Sequence, residues 1–169
     1  MFRKKRIRKK WMCFIRLLVL LLFFISPISL AKNQTVYFEP QIVELSGTIA
    51  VLTLPGPPNY LSIKNGDAAE TGVYLVLGAP VDVKLVPNIQ MNNDEPEHNI
   101  SIIQLVLQKN DDWKKMENGN HVHISGTLFH AISAHHHTRV LLDVKKIQVT
   151  SKEKIVNNKV FLHEVYSKF

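Results

Sequence analysis

The sequence predicts an all-β fold, a small five-stranded barrel resembling the oligonucleotide/oligosaccharide-binding type, with one short helix; a two-sheet β-sandwich is the alternative. Three observations predict it. Five runs are rich in Val, Ile, Leu and Thr and are separated by Pro, Gly and Asn. A short helical stretch lies between the third run and the fourth. Val43-Glu44-Leu45-Ser46-Gly47-Thr48-Ile49 is echoed by Val122-His123-Ile124-Ser125-Gly126-Thr127-Leu128. Both place Gly in mid-strand, where a barrel needs a bulge or tight bend to close.

The elements follow in order. Val36 to Phe38 with Ile42 to Leu54 forms the first candidate strand. Pro55-Gly56-Pro57-Pro58-Asn59 ends it, because proline lacks the N–H donor and fixes φ. Val73 to Val86 is the second run, with interruptions at Gly78 and Pro80, and the polar stretch Asn88 to Asn99 reads as a loop. Ile100 to Leu107 is the third strand. Asp111 to Met116 reads as one or two helical turns, with acids first and lysines later, the order a helix dipole favours. Gly119 ends it; His121 to Ala131 and Arg139 to Thr150 are the fourth and fifth strands. Lys159 to Tyr166 is expected to add a tail strand.

Charge divides the chain of 169 residues unevenly. Residues 1–31 carry eight of its 21 basic residues and no acid, whereas residues 32–169 hold 13 basic and 14 acidic residues. The leader has a basic start, the apolar core Leu17 to Ile25, a break at Pro27 and the small residues Ser29-Leu30-Ala31. It reads as a cleavable secretory signal at residues 1–31. A permanent membrane span needs about 20 apolar residues, and Arg16 and Pro27 bound a shorter stretch. Residues 32–169 are then one exported domain, periplasmic or extracellular. Cys13 is the single cysteine and precedes the apolar core. The mature chain therefore has no disulfide, no thiolate nucleophile and no cysteine-ligated zinc.

Two loops carry the candidate chemistry. The first is Pro55-Gly56-Pro57-Pro58-Asn59-Tyr60, followed by Asp67 and Glu70. A stiff proline loop holds Tyr60 at low entropic cost, and the two carboxylates can bind a polar ligand. The second is His135-His136-His137-Thr138. In the expected barrel these loops flank one binding face, so Tyr60, Asp67, Glu70, His135, His136 and His137 are the candidate ligand-binding residues. Imidazole is also the commonest metal ligand. His121 and His123, two apart on a strand, share one side and with His135 and His137 form a candidate divalent transition-metal site. Alternation with Val122 and Ile124 turns His121 and His123 to solvent if the apolar side is the core.

Several function classes find no support. The sequence has no Gly-rich phosphate loop, no His-Glu-x-x-His pair and no nucleophile elbow. A nucleic-acid face needs a basic groove with stacking aromatics, but the mature chain is near neutral and Trp113 is its only Trp.

The proline loop Pro55 to Tyr60, Ser62-Ile63, Gly66-Asp67, Glu70, Gly126-Thr127-Leu128 and the segment His135 to Val144 together resemble a bacterial family of exported domains of unknown function. The resemblance spans roughly residues 40–150. The family pattern has a cysteine near Val81-Asp82 and a proline where Arg139 stands; this chain has neither. The resemblance implies an exported bacterial protein with a barrel-like domain, and it implies no activity. The sequence reading is thus a non-catalytic module that binds a small ligand, an envelope glycan or a protein, with no nucleic acid and no permanent membrane span. Its rivals are a histidine-cluster metal protein and a hydrolase with a His general base oriented by Asp67 or Glu70.

Overall fold

A computed structural model describes residues 33–87, 95–152 and 165–166. The leader lies outside them, as does most of the expected tail strand; Val165 and Tyr166 are helical, not extended. Six strands form: β1 (Gln34–Tyr37), β2 (Ile42–Pro55), β3 (Ala69–Lys84), β4 (Glu97–Leu107), β5 (Asn120–His130) and β6 (Val140–Lys152). A four-residue helix α1 (Asn110–Trp113) separates β4 from β5. Among the described residues no helix is long and apolar enough to cross a membrane.

Pairing closes a ring. β2 pairs with β3 and β5, β5 with β6, β6 in parallel with β4, and β4 with β3. This is the connectivity of the expected barrel type, with the helix in the expected place. β1 adds in parallel to the end of β3, and Phe38 just beyond it is buried against the barrel with its ring stacked on His130 at 3.9 Å.

The echoed segments pair with each other. Leu45 lies opposite Ile124, and the register sets Val43 against Gly126 and Gly47 against Val122. The two glycines stand symmetrically about that centre, and each lets a neighbouring strand come close. A Cβ on Gly47 would lie 2.4 Å from the carbonyl oxygen of Val76, and one on Gly126 would lie 2.2 Å from that of Asp143. At Gly47 β2 passes from β5 to β3, and beside Gly126 the β5–β6 register shifts. These are the two corners that bend the sheet into a barrel.

Alternation sends Val43, Leu45, Ile49, Val73, Leu75, Ile103, Ile124 and Leu142 into the interior. Ala50, Leu52, Leu54 and Tyr74 form a second apolar group, packed against Val165, which is 1 % exposed. Beyond Thr48, where pairing with β5 ends, other groups meet the second half of β2. Gly119 N–H donates to the Ile49 carbonyl, Val51 N–H to the Asn118 side chain, and Thr53 N–H to the Tyr166 hydroxyl.

Several boundaries differ from expectation: the first candidate strand is two separate strands, β1 and β2, so six form rather than five, and the helix spans Asn110–Trp113 rather than Asp111 to Met116. β3 begins at Ala69 rather than Val73 and runs through Gly78 and Pro80 without a break. The β3–β4 register shifts between Val76 and Val81; this irregularity takes up the proline that regular pairing excludes. β4 begins at Glu97, inside the stretch expected to be a loop.

Candidate functional site

The proline loop is folded around Asp67. Its carboxylate accepts from the backbone N–H of Asn59, Leu61 and Ser62 and from the Asn59 amide, at 2.7–3.1 Å. Asp67 is 6 % exposed. The N–H groups of Ser62 and then Leu61 hold its carboxyl below the ordinary value, against a smaller opposing effect of burial. Asp67, a candidate ligand group in the sequence, is thus taken up by its own loop. Tyr60 lies within the clamped stretch at φ 58°, a left-handed conformation uncommon for a bulky side chain.

The strand leaving this loop carries Glu70 to the outer side of β3. Here Gly56 has a packing reason: a Cβ would fall 2.6 Å from the Glu70 Cγ and Cδ atoms. Glu70 lies across the space that the missing side chain leaves.

The histidine loop joins β5 to β6 and meets Glu70 from the other side. His135 Nδ1 lies 2.5 Å from Glu70 Oε1, and His137 Nε2 lies 3.1 Å from Oε2. One carboxylate receives two imidazoles, one at each oxygen. Burial raises the Glu70 carboxyl, but the hydrogen bonds and charges of His135 and His137 outweigh it and leave the carboxyl below its ordinary value. With Glu70 ionised, both ring nitrogens donate; neutral His135 then presents Nε2 as an acceptor to the Tyr60 hydroxyl, 3.4 Å away. The Tyr60 ring stands edge-on to His135, with centroids 5.7 Å apart.

Sequence reasoning missed the residue that holds this loop. Gln104 on β4 donates through Nε2 to the His135 carbonyl at 3.2 Å and accepts the His137 N–H at 2.7 Å. Its own backbone N–H donates to the Thr138 hydroxyl, which in turn donates to the Val140 carbonyl. The visible signal was a lone glutamine in the apolar run Ile102-Ile103-Gln104-Leu105-Val106.

The three adjacent histidines divide their work. His136 turns away from Glu70. Its Nδ1 accepts the Ile132 N–H at 3.0 Å, and its ring stands edge-on to Phe129. Burial first, then the neighbouring His135 and His137, push its pKa below the ordinary imidazole value. A neutral ring suits that acceptor role.

His121 and His123 are not brought to this place. They lie on the outer side of β5, where His123 Nδ1 meets the Ser46 hydroxyl and His121 Nδ1 meets that of Thr48. From His123 to His130, where β5 ends, the strand contour is about 23 Å. The four imidazoles therefore do not assemble into one metal site. Among the described residues, no group of three or more His, Cys, Asp or Glu is arranged to hold a metal ion.

Glu70, Gly72, Gln104, His135 and His137 line a cleft of about 360 Å³ on the outer face of β3 and β4. A second cleft of about 340 Å³ continues past His137 along Asn99, Ser101 and Arg139. Arg139 is tied to Glu97 at 2.5 Å. The tips of the two flanking loops expose Leu61 and Ile132, at 81 % and 82 %.

No curated protein and no solved structure matches the chain. Residues 102–148, which hold Gln104, α1, β5 and the histidine loop, are similar to the family described as "Domain of unknown function (DUF4431)".

Proposed function

We propose that the protein is an exported binding module whose ligand seats in the cleft that the histidine loop forms with β3 and β4, lined by Glu70, Gly72, Gln104, His135 and His137. The observation that carries this reading is the shared carboxylate. Glu70 joins His135 and His137 to β3, and Gln104 fixes the same loop from β4. The cleft walls are thereby set in position before a ligand arrives, which lowers the ordering cost of binding. The location on the sheet face of β3 and β4, beside the histidine loop, is where barrels of this type bind. The basic, apolar leader ending at Ala31 supports export.

The test is retention from an envelope extract, with bound small molecules and proteins both identified. The wild-type protein is expected to retain a species that Glu70→Gln and His137→Ala both lose while remaining folded by circular dichroism. Equal retention by all three proteins would place binding elsewhere.

One observation favours a second reading, a hydrolase. Glu70, His135 and Tyr60 form an orienter, base and hydroxyl in hydrogen-bonded sequence. Under that reading turnover is abolished by His135→Ala and strongly reduced by Tyr60→Phe.

A further inference from the structure

We infer that the ligand of this cleft is an uncharged, chain-like polyhydroxylated molecule, an oligosaccharide. This inference rests on the binding reading above and names the chemical class.

Shape comes first. The two clefts share His137 as a common wall, so the face runs from Glu70 on β3 to Ser101 and Arg139 beyond it. A face divided into successive compartments suits a ligand built of successive units.

Hydrogen-bonding chemistry comes second. Glu70, His135 and His137 are planar polar groups already held by one another. Each Glu70 oxygen carries two acceptor positions and spends one on an imidazole. The remaining positions can accept from neighbouring hydroxyls, and the two oxygens of one carboxylate match a pair of adjacent hydroxyls on a sugar ring. Tyr60 stands beside both imidazoles and lines neither cleft.

Charge comes third and separates sugars from the other linear polymer that this barrel type binds. Among the described residues no lysine lines either cleft, and the one arginine there is already paired with Glu97. A phosphate backbone requires several free cations along its path, and here it would pass the Glu70 carboxylate.

The experiment is a glycan array of neutral and acidic oligosaccharides, probed in parallel with the wild-type protein, Glu70→Gln and Gly56→Ala, with immobilised oligothymidylate beside it. The expected result is retention of neutral oligosaccharides by the wild-type protein, weakened about tenfold or more in Glu70→Gln and also reduced in Gly56→Ala. Glycan retention that both variants preserve would overturn the inference. So would binding to oligothymidylate alone, or binding to no glycan. If the extract experiment still yields a species lost in Glu70→Gln, the binding reading survives and only the sugar assignment fails. Should both experiments return nothing, the binding reading fails with it.

Discussion

Glu70 on β3 and His137 in the β5–β6 loop are 67 residues apart in sequence, and their side chains meet at 3.1 Å. His135 reaches the other oxygen of the same carboxylate. This contact ties the histidine loop to β3 at one sheet face. Removing it by Glu70→Ala is expected to free the histidine loop while leaving the barrel closed. Amide hydrogen exchange at residues 133–138 should rise about tenfold, with exchange in β2 and β5 unchanged. Uniform exchange across all strands would show instead that Glu70 supports the whole fold.

Gly56 and Glu70 are predicted to be coupled. Gly56→Ala puts a methyl group 2.6 Å from Glu70 Cγ, so the carboxylate must leave the imidazoles. The same substitution in a Glu70→Ala background meets no such obstacle. A double-mutant cycle by urea unfolding is expected to give a coupling of about 1 kcal/mol. Additive effects would mean that Gly56 serves another purpose.

Acid should loosen the proline loop and the histidine loop at different points. Glu70 and Asp67 both have folded-state pKa values lowered from ordinary values of 4.5 and 3.8. A lowered carboxyl contributes stability that is fully present above its unfolded value and is lost as pH falls through the folded value. Stability is therefore expected to decline below about pH 4.5 and further below about 3.8. Glu70→Gln should remove the first part of the decline, and Asp67→Asn the second. Urea midpoints measured from pH 2.5 to 6 check this. An unaltered profile in Asp67→Asn would contradict the loop-clamp role.

The barrel corners should be the least tolerant glycines. Gly47→Ala and Gly126→Ala each place a Cβ within 2.4 Å of a backbone carbonyl oxygen, and a backbone atom cannot rotate aside. Each is expected to cost about 3 kcal/mol. Gly78→Ala, with open space around its Cα, is the matched control.

Much of this architecture was legible from the residues. Runs rich in Val, Ile, Leu and Thr located β2, β4, β5 and β6, and the echoed Ser-Gly-Thr pair marked the two corners. The two loops that carry the candidate chemistry were also visible, because Pro and His clusters interrupt β-rich sequence. What remained hidden depends on contacts between distant positions. Ala69 to Gly72 has little intrinsic preference for a strand, yet it pairs with Leu52 to Pro55 across the proline loop, in the register Thr71↔Thr53. Two His residues converging on Glu70 cannot be inferred from composition, since local spacing says only that His135 and His137 can share a direction. Asp67 looked like a ligand group because it is acidic and lies in a loop; the N–H groups that claim it are local, but their convergence depends on the turn. Gln104 was hidden for a related reason. Its role is set by a loop more than thirty residues later in the chain.

The most direct measurement is the histidine ring 15N spectrum of the wild-type protein and of Glu70→Gln. The shared carboxylate predicts that neutral His135 carries its proton on Nδ1 and His137 on Nε2, as fixed tautomers. Both signals should change in Glu70→Gln, while those of His121 and His123 stay in place. Averaged tautomers for His135 and His137, identical in the two proteins, would contradict the latch that shapes the cleft.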